Sequence, residues 1–333
     1  MDSTIQFYDE QLPYVTVVIP VRNEAQYIRY CLDAILKQDY SNEHVEVIIV
    51  DGLSDDGTRE IIGEYVARHA HIYLVDNPKR IVPPAMNIGI RQAKGEIIVR
   101  VDGRCIIEPD YIRQCVHHLQ QTKAHNVGGR QQAVGENFTT QTIALAITSP
   151  FGMGNSTFRY ATQSQFVDTV YLGAFPKSTL IDVGLYDETF VRNQDYELNY
   201  RIRQAGGKIY FTPDIKSVYY GRPSLLKLWK QYFQYGFWKT RVLRKHPKSV
   251  KVRQLVAPMF VLSLICGMLL IPFRWGRFIL FSVSMSYGLA TSLASIIIGY
   301  QSGWRYAMLL PIVFVILHVS WGLGFLWGMV TGG

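Results

Sequence analysis

Three carboxylates stand where residue type and spacing could do chemistry on a phosphorylated ligand: Asp51, Asp102 and Asp195. Asp51 ends the β-branched run VEVIIV, Asp102 ends IIVRV, and each is followed by Gly. An acid that a strand delivers to the carboxyl edge of a parallel sheet sits where open α/β folds keep their ligands. Asp-Gly is also a common turn, but two such turns at successive strand ends put two acids in one crevice. Asp195, Glu197 and Arg201 have the spacing of a helix-surface ion-pair ladder. Arg104 sets a permanent positive charge two residues after Asp102. Arg100, inside the strand, calls for a nearby carboxylate, because an unpaired buried charge is costly.

The elements that must position these groups alternate strand and helix, the pattern of a parallel sheet with crossover helices. Strands are expected at Val15–Pro20, Val45–Val50, Ile72–Val75 and Ile97–Val101. Helices are expected at Asn23–Lys37, from near Thr58 with Ser54, Asp55 or Asp56 as cap, and after Pro83-Pro84, this last one carrying Asn87. No G-x-G-x-x-G follows the first strand, which argues against a dehydrogenase. After Tyr111 the rhythm gives way to Gly-rich turns at Gly128-Gly129, Gly152–Gly154, Gly173 and Gly206-Gly207, loops suited to an acceptor pocket.

Composition divides the 333 residues unevenly. From Leu255 onward there is no acid and only Arg274, Arg277 and Arg305 are basic. The apolar stretches, about 255–273, 278–300 and 307–330, each approach the ~20 residues that a helix needs to cross a bilayer. Three transmembrane helices are expected. Residues 222–253 hold ten Lys or Arg and no acid, leaving 21 basic against 26 acidic residues in 1–221. The net charge of +8 is therefore a cationic collar beside the membrane, which places the preceding domain on the cytoplasmic face and favours anionic lipid over nucleic acid. Arg274 and Arg277 would then occupy an outer loop. Leu225, Leu228, Trp229, Tyr232, Phe233, Gly236 and Phe237 recur at helical spacing, which reads as an amphipathic helix in the bilayer interface or packed on the domain. The opening MDSTIQFYDE is polar and acidic, unlike a secretory leader. Four cysteines without C-x-x-C spacing indicate neither a zinc site nor a disulfide framework.

At VVIPVRNE, VDGLSDDGT, AMNIGI, VDGR and RNQDYELNYRIRQAGG, spanning Val15 to about Gly207, the chain resembles the family 2 glycosyltransferases. SPFGMGNSTFRY, VDTVYLGAF and QYFQYGFW narrow the resemblance to ExoA-like membrane-bound enzymes of succinoglycan and related exopolysaccharide synthesis. The resemblance implies a GT-A nucleotide-diphospho-sugar transferase fold, an α/β Rossmann-like mixed sheet, over 1–221. A basic juxtamembrane collar at 222–253 and three transmembrane helices at 254–333 would follow.

It also implies roles. Pro20, Asn23 and Glu24 would line the nucleotide pocket, Asp51 would meet the uracil, and Asn87 would lie near the ribose and diphosphate. Asp102 matches the first acid of D-x-D and would hold Mg²⁺ or Mn²⁺, while Arg104 stands where the second acid is expected. Asp195 would be the general base, with Gly173, Arg201, Gln231 and Trp238 supporting it or facing the acceptor; Gln194 replaces a common Glu. The activity implied is inverting transfer from a UDP-sugar, UDP-glucose first, to a polyprenyl-linked saccharide at the membrane. A polyprenyl-phosphate sugar synthase and a catalytically inactive membrane scaffold are the alternatives.

Overall fold

The computed structural model describes residues 12–154, 157–221 and 224–332. MDSTIQFYDE, Arg222 of the collar, and Asn155 and Ser156 of SPFGMGNSTFRY lie outside the described residues. The chain forms two compact units: Met1–Arg130, Gln163–Glu188 and Arg201–Ser217 make the first, and Gln131–Thr162, Thr189–Tyr200 and Val218–Gly333 the second.

In the first unit, strands β1 (Val15–Val21), β2 (Val45–Asp51), β3 (Ile72–Asp76) and β4 (Ile97–Arg100) run parallel in the order β3-β2-β1-β4. Helices α1 (Ile28–Leu36), α2 (Thr58–Arg68) and α3 (Val82–Gln92) alternate with these strands. β1 and β2 are buried along their whole length, so they read as near-continuous apolar runs rather than alternating ones, broken by Thr16 and Glu46, which bond each other at 2.6 Å. Val17, Ile19, Val47 and Ile49 are fully buried, each stabilising the sheet by about 1.5–3 kcal/mol.

β5 (Cys105–Ile107), α4 (Tyr111–Thr122), β6 (Asn126–Val134), α5 (Phe138–Ile147), α6 (Pro150–Met153), β7 (Gln165–Phe166), β8 (Tyr171–Pro176), α7 (Lys177–Asp182), α8 (Gln194–Gln204) and β9 (Ile209–Tyr220) follow. The sheet continues from β4 as β8-β6-β9-β5, with β7 against β9. β8 pairs antiparallel with both β4 and β6, so the sheet is mixed. At Gly173 (φ +112) an added Cβ would lie 2.6 Å from Asn126 Oδ1 and 2.8 Å from the Phe175 ring, so both backbone and packing require glycine there.

The expected helix from Asn23 starts later, at Ile28. Asn23 takes φ +54, and residues 23–25 bond the 54–58 loop instead. Asn23 N–H donates to Ser54 Oγ, Glu24 N–H to Thr58 Oγ1 and Ala25 N–H to Asp56 Oδ2. The N-cap of α2 is Gly57 (φ +93) rather than Ser54, Asp55 or Asp56, because the chain enters the helix through a left-handed residue; Asp56 accepts the Thr58 N–H at 3.1 Å from one position earlier.

The second unit contains α9 (Leu225–Lys245), α10 (Val256–Leu269), α11 (Arg274–Ser302), α12 (Trp304–Ala307) and α13 (Leu310–Thr331). Three helical segments, Val252–Leu269, Arg274–Ser302 and Leu310–Thr331, are long and apolar enough to cross a membrane. Arg274 and Arg277 lie in the first turn of α11 rather than in a loop: Arg is a good helix former, and Gly276 between them lets that turn pack against the Leu270 carbonyl, 1.9 Å from where a Cβ would stand. The amphipathic helix expected around Leu225–Phe237 runs on to Lys245, and its Leu228, Tyr232 and Gly236 side packs along α13. A Cβ on Gly236 would stand 2.0 Å from Trp321 O, and one on Gly324 2.0 Å from Phe233 O, so the two backbones are in direct contact.

Candidate active site

Three of the four parallel strands of the first unit, β2, β3 and β4, end in charged residues. Val21 pairs with Asp51 and Asp51 with Asp76, so β1, β2 and β3 finish level, and β4 hands the chain on to Asp102. β2 and β4 flank β1 on opposite sides, which makes the end of β1 the switch point where an open α/β sheet leaves a crevice. Pro20 lies in β1 at that end, in register with Val50.

Asp51 is fully buried. Its carboxylate accepts from Ser54 N–H (3.0 Å), Ser54 Oγ (2.5 Å) and Arg59 Nη1 (2.7 Å). Arg59 also reaches Asp76 Oδ1 at 2.8 Å, and these two carboxylates, Asp76 first, raise its pKa above the ordinary guanidinium value. Asn87 is 3% exposed: its Nδ2 donates to Tyr186 O (2.8 Å) and Glu188 Oε1 (2.9 Å), while its Oδ1 accepts from Tyr186 N–H (2.9 Å). Asn87 therefore braces the 186–188 segment. Lys79 closes on the same Glu188 at 2.6 Å and, with Asn87, holds its carboxyl below the ordinary value.

Arg104 turns toward Glu24. Its Nη2 donates to both Glu24 oxygens at 2.6 and 2.7 Å and its Nε to Oε1 at 3.0 Å, with the guanidinium carbon 5.7 Å from the centre of the Tyr27 ring. Arg100 supplies the matching pair, Nε to Asp102 Oδ1 at 3.0 Å, which answers the demand of a strand-buried arginine. The turn after β4 thus holds two guanidiniums against two carboxylates, where two acids of a D-x-D would make it anionic. Among the described residues no group of three His, Cys, Asp or Glu could hold a metal. Asp102 nevertheless keeps Oδ2 without a hydrogen bond among the described residues, and its side chain is 28% exposed. One such carboxylate with substrate phosphates and water fits Mg²⁺ or Mn²⁺.

In the second unit, Asp195 lies half-buried in the first turn of α8, where the helix dipole favours an anion. The surrounding segment is fastened to α9. Asn193 (φ +61) donates from Nδ2 to Tyr235 O at 3.0 Å, and Arg192 Nε donates to Gln234 Oε1 at 3.2 Å. Tyr196 Oη donates to Ser249 O at 2.7 Å, and Lys239 Nζ sits 3.2 Å from the Tyr196 ring centre. Glu197 is no surface ladder residue: it is fully buried, with His246 Nε2 at 2.9 Å and Lys245 Nζ at 3.5 Å. Lys245 and His246 lie about fifty residues downstream of Glu197, beyond any local signal. In the first unit, Arg201 holds the backbone carbonyls of Val183 and Leu185, the second at 2.6 Å. Gln231 Nε2 donates to Tyr235 Oη at 2.8 Å, and Trp238 stacks under Arg241, 4.3 Å from ring centre to guanidinium carbon.

The model of the glycosyl transferase family 2 domain matches residues 16–190. Over 315 residues the chain is 30% identical to the succinoglycan biosynthesis protein ExoA of Rhizobium meliloti, covering 93% of each. Over 240 residues it is 32% identical to a dolichyl N-acetyl-alpha-D-glucosaminyl phosphate 3-beta-D-2,3-diacetamido-2,3-dideoxy-beta-D-glucuronosyltransferase of Methanococcus voltae, covering 70% of this chain and 74% of the relative. Its fold matches the mannosyltransferase PcManGT from Pyrobaculum calidifontis, solved with GDP-Man and Mn²⁺, at TM-score 0.61 and 19% identity over 96% of this chain and 88% of that one. GalNAc-T7, solved with UDP, GalNAc and Mn²⁺, matches at TM-score 0.52 and 17% identity over 73% of this chain and 52% of that one. The mixed sheet is therefore of the GT-A type, and the C-terminal helices include three able to span a membrane. With the family model over more than half its length and the ExoA likeness over nearly all of it, the chain belongs to glycosyl transferase family 2 and is a glycosyltransferase.

Proposed function

We propose that this glycosyltransferase moves glucose from UDP-glucose, with inversion, onto a polyprenyl-linked saccharide during exopolysaccharide assembly at the cytoplasmic face of the membrane. The observation that carries this reading is the likeness to ExoA along 93% of both chains, apolar tail included. Asp51 meets the uracil ring, beside Pro20, Asn23 and Glu24, and Asn87 supports the diphosphate side through the 186–188 segment. Asp195 accepts the proton of the acceptor hydroxyl as that oxygen attacks the anomeric carbon. The bond from this carbon to the diphosphate oxygen breaks with its electron pair on UDP, so a single displacement inverts the centre and an α-linked donor gives a β-glycoside. Asp102 is the residue that would hold the divalent cation, whose chemistry is to offset charge on the departing diphosphate. Gly173, Arg201, Gln231 and Trp238 support the acceptor side.

The test is a panel of UDP- and GDP-sugars offered to membranes that contain the protein, followed by lipid extraction and determination of the anomer. Glucose in the lipid fraction, β-linked to a saccharide, is expected. Glucose joined directly to the lipid phosphate would replace this reading with a polyprenyl-phosphate sugar synthase, and transfer from GDP-sugars alone would overturn the assigned donor.

A further inference from the structure

The second unit is short of anions. Glu136, Asp195 and Glu197 face fifteen Lys and Arg in its sequence. Glu136 is exposed, Glu197 is held by Lys245 and His246, and Asp195 is the proposed base. Arg159, at the end of the turn Thr157–Arg159 behind α6, feels this shortage most. Its Nε and Nη1 are buried and neither has an acceptor among the described residues. A guanidinium cannot escape by losing its proton. Each buried donor left unpaired costs about 1–3 kcal/mol, and more on a charged group.

A second donor nearby is also poorly matched. Tyr232 of α9 is 7% exposed, and its hydroxyl donates to Met153 Sδ at 3.0 Å, a weak acceptor. The hydroxyl thus reaches the end of α6, just before the segment that carries Arg159; burial pushes the Tyr232 phenol pKa up, and the positive charge of Arg159 opposes it. Next to Arg159, Tyr160 Oη donates to Gly154 O at 2.6 Å, and Gly154 follows Met153, the acceptor of the Tyr232 hydroxyl. Arg159 as a whole is part-exposed, which leaves its fork reachable.

A phosphate answers this set best, because its several charged oxygens match the planar fork and can accept a phenol as well. The unit that carries Arg159 also carries the three apolar helices, and the anions at a bilayer surface are lipid phosphates. We propose that Arg159, with the Tyr232 hydroxyl, binds the phosphate group of a membrane lipid. Naming that lipid as the polyprenyl acceptor rests on the reading above; an anionic phospholipid offers the same chemistry.

The full-length protein in phosphatidylcholine nanodiscs, titrated with farnesyl phosphate, farnesol and UDP, tests this. Wild type should bind farnesyl phosphate at least tenfold more tightly than farnesol, Arg159→Gln should abolish the difference with UDP affinity unchanged, and Tyr232→Phe should narrow it about threefold. No phosphate preference in wild type, or a full preference in Arg159→Gln, overturns the proposal. If Arg159→Gln also loses UDP, Tyr232→Phe decides, and an unchanged preference there overturns it. Added phosphatidylglycerol that erases the preference assigns the site to bulk anionic lipid, while a retained preference assigns it to the acceptor. Wild type that shows the preference yet transfers no sugar to lipid would sink the proposed function and leave the phosphate site standing.

Discussion

Removing Arg104 should destabilise the first unit through one identifiable charge. The pair it forms with Glu24 has three N–H···O contacts of 2.6–3.0 Å, and its side chains are 17% and 16% exposed. This lies closer to the buried limit, where loss of one partner costs about 3–5 kcal/mol, than to the surface limit of about 0–1 kcal/mol. Arg104→Ala should therefore cost about 3 kcal/mol, since water can still reach the stranded Glu24. For a unit of this size, about 2–4 °C per kcal/mol corresponds to a Tm lower by about 6–12 °C. Glu24→Ala should cost less, because a part-exposed guanidinium resolvates more readily, and the double variant should fall short of the sum by about 2 kcal/mol. Arg104→Asp would restore the second acid, so Mn²⁺ should raise its Tm more than it raises that of wild type. The assay is thermal unfolding of detergent-purified protein, with and without Mn²⁺. A loss below 2 °C in Arg104→Ala, or strict additivity with Glu24→Ala, would refute the reasoning about this pair.

Three further outcomes follow from the geometry. Glu197→Gln should cost about 2–3 kcal/mol, less than the full buried-pair penalty because Lys245 is 45% exposed; thermal unfolding would show it as a lowered Tm. Gly324→Val should overpack the contact with Phe233 O and cost about 1–3 kcal/mol in thermal unfolding, whereas Gly288→Ala, with no atom within 4 Å of its added Cβ, should cost nothing. Burial, opposed in part by Asp214, lowers the His118 pKa from 6.5. The unfolded chain then takes up a proton that the fold resists, so stability is complete above pH 6.5 and declines as pH falls below it toward the folded value. In a Tm-against-pH series, His118→Gln should flatten that decline.

The strand ends were legible because β-branched runs stop abruptly at Asp51 and Asp102, and the observed strands differ from the expected ones by one residue. The late start of α1 was not, because the left-handed Asn23 is set by its bonds to a loop about thirty residues away. β8 was hidden as well: VYLGAF carries a positive-φ glycine and pairs antiparallel with β4, more than seventy residues earlier. In the site, sequence separated the carboxylates from the cations without saying which would pair. Arg104 pairs with Glu24, eighty residues earlier, and Arg201 donates to two carbonyls of the 183–185 segment, neither of which spacing announces. Buried partners such as Glu197 and His246 leave no periodic mark, because their pairing depends on how α8 and α9 pack.

The central claim is that Asp195 removes the acceptor proton. Single-turnover transfer from UDP-glucose into the lipid fraction, comparing wild type with Asp195→Asn at equal UDP affinity, tests it most directly. Loss of a general base should slow transfer by about 10²–10⁴-fold. Transfer by Asp195→Asn at the wild-type rate would contradict the account.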